Sequence, residues 1–362
     1  MVGDFVDADA VFDLGEHEWA RAAHLFRIAR HDIEVGADGL GKVGLVNDEK
    51  VARDNVRPET PPIAEVAQIR YDQRMKAPLW VIAAITCGAV VADAAEKAAG
   101  TGLSFKGPIG LQMYSLRFYT GTNALAKIDK ARELGFRAIE GGAPLRMPAP
   151  EFLKVLEQRG MKLVSTGSDY ARLKNDPDSV VAQAKALGAK YVMCSWIPHE
   201  KGKFSEKNAR EAAQVFNAAG EKFRNAGITF TYHCHGYEFQ PHGDGTLFDL
   251  IVQETKPEFV SFEIDVFWAA QGGADPAKLI EKHGSRFKLM HVKDLRKGAA
   301  INSTGAAPDE DSVAVGEGQI HWPAVLKAAQ AAGVEYYFIE DEAKNAVEQI
   351  PQSLRYLESL KF

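Results

Sequence analysis

The chain has 362 residues, 46% of them apolar and 25% charged, with a formal net charge of -6 at neutral pH. That length and apolar share support a large buried core, and the acidic balance offers no global basic surface for nucleic acid. Three cysteines, Cys87, Cys194 and Cys234, without a CxxC pair, support neither a zinc ribbon nor a dense disulfide framework.

Residues 1–74 are mixed and polar, with Pro58, Pro61 and Pro62 interrupting any continuation, and they do not read as a complete domain. His17, His24 and His31 recur at two-turn spacing against a helical pattern over 16–29, which fits a surface stripe better than a metal site because no carboxylates share its register. Met75-Lys76 then precedes an uncharged apolar run over 79–91, followed by Ala92-Asp93-Ala94 and the polar Glu96-Lys97. A basic start, an apolar stretch of roughly 7–15 residues and an A-x-A cut are the anatomy of a signal peptide, whereas a membrane span needs about 20 apolar residues. The expectation is a non-native or disordered N-terminal extension over 1–74, upstream of the true start, a signal peptide over 75–94 and a periplasmic or secreted mature chain if translation starts at Met75. A start at Met1 predicts a cytoplasmic protein, with 79–91 as a buried helix or partial anchor.

From residue 109 onward the pattern alternates. Strands are expected over 109–116, 137–140, 162–165, 191–194, 228–232, 260–265, 287–292 and 336–340. Helices are expected near 124–134, 149–158, 179–187, 207–225, 247–255, 276–283, 322–332 and 347–360. Gly135, Gly160, Gly188, Gly227 and Gly333 each fall between a helix and the next strand, as C-terminal caps do. Eight such units predict a closed (β/α)8 TIM barrel over 107–362. An open doubly wound sheet is the alternative, but no GxGxxG follows the first strand. Cys194 and Cys234 fall on consecutive strands, and alternation turns Cys234 away from the side that His233 and His235 share, which argues against a disulfide.

Several strands end on ionisable groups: His233, His235 and Glu238 after the fifth, Asp265 after the sixth, His291 after the seventh and Glu340 after the eighth. In a parallel barrel these tips share one mouth, and imidazole with carboxylates binds Mn²⁺, Co²⁺, Zn²⁺ or Mg²⁺. Taken singly, each has a plainer reading: His291 and Asp265 as caps, Glu340 as an ion pair with Lys344. Glu140 ends the second strand, and Trp196 and Trp268, beyond the fourth and sixth, offer flat faces either to sugar C–H groups or to rim packing. A metal beside a carbonyl and a positioned carboxylate together support proton abstraction from the adjacent carbon.

Gly110-Leu111-Gln112-Met113-Tyr114-Ser115-Leu116-Arg117, Tyr232–Phe239, Phe262-Glu263-Ile264-Asp265-Val266-Phe267-Trp268, His291-Val292-Lys293-Asp294, Val315-Gly316-Glu317-Gly318-Gln319-Ile320 and Ile339-Glu340-Asp341 together resemble the sugar isomerase/epimerase family with a xylose-isomerase-like TIM barrel. The resemblance implies metal ligands at Asp265, His291 and Glu340. It places His233 where many relatives carry a glutamate, and it lacks the histidine usual near Ser165-Thr166-Gly167-Ser168. The expected metal set is therefore His233, Asp265, His291 and Glu340, with Glu340, His233 and Glu238 as catalytic groups and Glu140, His235, Trp196, Trp268 and Lys293 on substrate. The implied function is a metal-dependent isomerase or epimerase acting on an unphosphorylated sugar. A 3-keto-glycoside lyase is the second enzyme reading, and a non-catalytic sugar-binding module the reading of another class.

Overall fold

The structure is a computed structural model, and it describes residues 99–121, 123, 125–142 and 147–362. The extension, the apolar run at 79–91, Cys87 and the three spaced histidines lie outside the described residues. Eight parallel strands close into a barrel in sequence order: β1 Ile109–Gln112, β2 Ala138–Glu140, β3 Lys162–Gly167, β4 Tyr191–Cys194, β5 Thr229–His233, β6 Val260–Asp265, β7 Phe287–Val292 and β8 Tyr336–Ile339. β8 returns to β1 through Ile109↔Tyr337, Gly110↔Phe338 and Leu111↔Ile339. Helices surround it: α1 Ala126–Glu133, α2 Ala149–Gln158, α3 Tyr170–Asn175, α4 Pro177–Ala186, α5 Glu206–Asn225, α6 Leu247–Glu254, α7 Val266–Gln271, α8 Pro276–His283, α9 Trp322–Ala332 and α10 Ala346–Ser359. Among the described residues no helix is long and apolar enough to cross a membrane.

Alternation along each strand explains the two cores. Outward residues such as Val192, Phe230, Tyr232, Phe262, Ile264, Met290 and Ile339 join the apolar layer between sheet and helices. Inward residues Ala138, Val164, Tyr191, Leu289 and Phe338 form a separate apolar cluster inside the barrel. Gly110 makes room for it, since a Cβ there would stand 2.8 Å from the Phe338 ring. Above this plug the inward positions turn polar, so the ionisable groups rest on a dry floor.

The expected elements recur with three informative differences. The first strand stops at Gln112 instead of continuing to 116, because the Gln112 side chain accepts from the Tyr114 amide and closes Met113–Leu116 as a 3-10 turn. Two short helices, α3 and α7, occupy stretches expected as loop, each begun by an aspartate that accepts a backbone amide, Asp169 from Arg172 and Asp265 from Trp268. The expected glycine caps all have positive φ, from 60° at Gly160 to 98° at Gly135. Cys194 and Cys234 are buried free thiols.

Candidate metal and active site

Register carries the strand tips to one level. Asp265 on β6 pairs with His291 on β7, and Val292 with Ile339 on β8, immediately before Glu340. His233 ends β5 opposite Glu263 of β6. As a result one ligand atom each from His233, Asp265, His291 and Glu340 lies within 4.8 Å of the others, and all four residues are buried. His233 Nε2 faces His291 Nδ1 at 3.0 Å, and His291 Nδ1 lies 3.4 Å from Asp265 Oδ2 and 3.2 Å from Glu340 Oε2.

The donor chemistry fits a divalent cation. Two ring nitrogens converge with two carboxylate oxygens, and Asp265 Oδ2 is buried without a hydrogen-bond partner. Asp265 combines two of its expected roles, one oxygen each: Oδ1 accepts from the Trp268 amide at 2.9 Å and caps α7, while Oδ2 turns into the ring. Glu340 does the same work of convergence from β8, its carboxylate facing His291 and Lys293.

His291 is the hinge of the arrangement. Its Nδ1 faces the ring, and its Nε2 donates to Glu140 Oε1 at 2.6 Å, with Glu263 Oε1 at 3.3 Å. Such a carboxylate beyond a ligating imidazole fixes ring orientation and leaves the other nitrogen free for a cation. Gln112 holds Glu140 in turn, donating to the same oxygen at 2.7 Å. Burial alone lowers the His291 pKa, but Glu263 and Glu340 hold it well above the ordinary imidazole range. Burial, followed by the neighbouring Glu140 charge, raises Glu263 well above the usual carboxylate range. Burial also acts on Glu340, yet Lys293 and His291 outweigh it and bring its pKa down to about 2.

Glu140, expected on substrate, thus sits beneath His291, and Glu263, a residue sequence reasoning passed over, shares that place. Its signal was present: it precedes Asp265 by two and therefore points the same way. Lys293 is 1% exposed; its ammonium reaches Glu342, lies 3.4 Å from Glu340 Oε2 and 3.9 Å from Asp265 Oδ2, and sits over the Phe267 and Trp268 rings.

His235 stacks on Trp268 with centroids 4.4 Å apart, and Trp196 meets the His235 ring edge-on at 5.4 Å. Burial, then the nearby His233 and Lys293, push His235 down to about 3, so it is neutral at pH 7, and its Nδ1 has no partner. Glu238 lies elsewhere. Gly236, at φ 93°, turns the chain into a 3-10 turn over Tyr237–Phe239, and the Glu238 carboxylate accepts from the Tyr232 hydroxyl and from the His235 amide at 3.0 Å. Tyr232 faces outward against Phe216, so this carboxylate stands on the helix side of β5.

The other shared motifs are structural. Asp294 accepts from the Leu295, Gly316, Gly318 and Ile320 amides and from Trp322 Nε1, which pins the 315–320 turn against the end of β7. Asp341 accepts from the Ala343 amide at 2.9 Å, and its own amide donates to Ser115 Oγ at 3.0 Å, fixing the backbone beside Glu340.

Comparison with known proteins agrees with this geometry. Residues 128–360 match the family described as Xylose isomerase-like TIM barrel. An inosose dehydratase from Mesomycoplasma hyopneumoniae (strain 7448) is 27% identical over 188 residues, 47% of this chain, and the match spans 62% of that relative's length. A sugar phosphate isomerase/epimerase structure from Parabacteroides distasonis ATCC 8503 superposes with a TM-score of 0.59 at 23% identity, covering 73% of this chain and 96% of that one. The IOLI protein, solved with a bound zinc atom, gives a TM-score of 0.55 at 15% identity, covering 69% of this chain and 95% of that one. With the match running through most of the barrel and a buried His/Asp/Glu cluster of the divalent-metal kind at its mouth, the chain belongs to the xylose isomerase-like TIM barrel family.

Proposed function

We propose that this chain is a divalent-metal-dependent enzyme that removes the proton α to the carbonyl of an unphosphorylated keto-sugar, leading to isomerisation or epimerisation. The observation that carries the reading is the convergence of His233, Asp265, His291 and Glu340 from four adjacent strands. Two imidazoles among four donors favour Zn²⁺, Co²⁺ or Mn²⁺ over Mg²⁺. A bound cation of this kind supplies a Lewis acid that polarises a carbonyl and acidifies the neighbouring C–H.

The chain's own groups supply the rest. Glu340, the least buried of the four ligands and ionised at neutral pH, is the carboxylate assigned to the α-proton. Lys293 keeps Asp265 and Glu340 from repelling one another. His235, neutral, stacked on Trp268 and with a buried Nδ1 that has no partner, is the group assigned to hydrogen-bond a substrate hydroxyl. β-Elimination is a second reading, supported by the dehydratase names of the curated relatives and by an imidazole, in place of a carboxylate, at His233. Either course begins with loss of the same proton.

The test is deuterium uptake from heavy water into a panel of keto-sugars by the metal-loaded full chain, with products followed by NMR. Wild type exchanges the α-proton, and Glu340→Gln loses at least about 100-fold, the scale of a general base. Binding without exchange across the panel would replace the enzyme reading with a sugar-binding module.

A further inference from the structure

One layer below the metal ring, the barrel carries a second group of donors that a cation in the ring does not use. An oxygen each of Glu140 and Glu263 lies with His291 Nε2 inside a span of 4.8 Å, and both carboxylates are fully buried. Glu140 Oε1 accepts from His291 Nε2 and from Gln112 Nε2. Its Oε2 and both oxygens of Glu263 have no hydrogen-bond partner. Carboxylate oxygens left alone in this way are costly, because the apolar cluster of Ala138, Val164, Tyr191, Leu289 and Phe338 closes the barrel beneath them.

A neutral oxygen stands beside them. Ser165 is fully buried, and its Oγ also has no partner. Leu163 joins the layer between sheet and helices, so strict alternation would turn Ser165 outward as well. The pairing of β2 with β3 shifts, however: Leu163 lies opposite Ile139, but Ser165, not Val164, lies opposite Glu140. A bulge of this kind re-aims a side chain. On its other side Ser165 pairs with Tyr191 of β4, which belongs to the interior cluster together with Val164. Inward-pointing partners on both neighbouring strands place the Ser165 hydroxyl inside the barrel, at the level of Glu140.

Charge points the same way. Among the described residues, the basic side chain paired with Glu140 and Glu263 is His291, while Lys293 is directed to Glu342, Glu340 and Asp265. A cation in the ring takes the His291 Nδ1 lone pair and leaves the imidazole neutral. Two buried carboxylates then face one another without a compensating charge. Opposed ligands on Mg²⁺, at about 2.0–2.1 Å each, stand about 4.2 Å apart. Carboxylate oxygens within 4.8 Å of one another already match the span of one hard cation.

We propose that Glu140 Oε2, the Glu263 carboxylate and Ser165 Oγ form a second divalent-cation site beneath the ring. Its donors are oxygens alone, which suit Mg²⁺ or Mn²⁺, whereas the two imidazoles of the ring suit Zn²⁺. The His291 Nε2–H stays on Glu140 Oε1, so one imidazole joins the two sites. The deep site holds whichever reaction the ring performs.

The test loads the metal-free full chain with one equivalent of Zn²⁺ to fill the ring and then titrates Mn²⁺, with free Mn²⁺ read by electron paramagnetic resonance and Zn²⁺ by elemental analysis. Wild type takes up one further Mn²⁺ per chain and keeps its Zn²⁺. Glu263→Gln weakens Mn²⁺ binding by at least about tenfold, and the milder Ser165→Ala by about threefold to tenfold, the scales of a charged and a neutral contact. Both variants keep the Zn²⁺. No Mn²⁺ uptake by the Zn²⁺-loaded wild type, or uptake that neither variant weakens, would overturn the site. So would an infrared band of a protonated buried carboxyl that persists in Mn²⁺-saturated wild type and vanishes in Glu263→Gln, since a proton would then hold the place assigned to the cation. Variant-sensitive Mn²⁺ binding by a wild type that retains no Zn²⁺ would instead overturn the ring and leave the deep site standing.

Discussion

Glu140→Gln is the sharpest probe of how the metal ring is held. Glu140 does not face the ring; it accepts from His291 Nε2 at 2.6 Å, fully buried, and so determines which imidazole nitrogen is free. An amide at that position keeps an acceptor for His291 but removes the negative charge behind it. Carboxylates in this relation to a ligating histidine are worth roughly 10–100-fold in metal affinity, or about 1.4–2.7 kcal/mol. The expectation is a loss near the lower figure for Glu140→Gln and near the higher for Glu140→Ala, where orientation goes as well as charge. The metal-free barrel should lose much less in the amide variant. Removing Glu140's charge relieves Glu263, whose proton affinity burial and that same neighbour raise. Competition of Zn²⁺ and Mn²⁺ against a chromogenic chelator gives the affinity, and thermal melting of the metal-free protein gives the stability. Affinity within twofold of wild type in both folded variants would refute the orienting role.

Three further outcomes are expected. Burial pushes Glu238 up to about 7 against hydrogen bonds from Tyr232 and the His235 amide, so its contribution to stability is full below pH 4.5 and is lost as pH rises through 7, by about 3 kcal/mol for a shift of this size; urea denaturation across that window should show the slope flattened in Glu238→Gln, and parallel curves would contradict it. Asp294→Ala strips five donors of their acceptor and should destabilise by at least about 3 kcal/mol, read as a lower urea midpoint; a change under 1 kcal/mol (about a third of that) would show that water replaces the carboxylate. A fusion beginning at Met75 should be exported and cut after Ala94, and an uncut cytoplasmic product by mass spectrometry would exclude the leader.

The ring residues were legible because two regularities coincide: inward positions recur every second residue, and a parallel barrel brings strand ends to one level. His233, Asp265, His291 and Glu340 satisfy both. Glu263 satisfies the first but lies one layer deeper, so attention to tips alone passed it by. Glu238 shows the opposite limit. Periodicity ends with β5 at His233, and the turn at Gly236 returns the carboxylate to the outward side through a positive φ that no pattern of polar and apolar residues encodes. Gln112 followed the same logic: its side chain ends β1 by a local hydrogen bond in a stretch whose composition reads as continuous strand.

The anchoring of Asp294 has a consequence for its neighbour. Lys293 stands between a residue fixed within β7 and one held by five hydrogen bonds, so its Cα has little room to move, and its ammonium is confined between Glu340, Glu342 and two aromatic faces. A cation on a long flexible stem has become a preorganised charge. On the proposed reaction, negative charge growing on a substrate oxygen at the mouth would meet that ammonium without reorientation, the cost of arranging the field having been met during folding. Arginine, with a wider planar head, does not fit the same confinement, so Lys293→Arg is a disruptive exchange despite the shared sign.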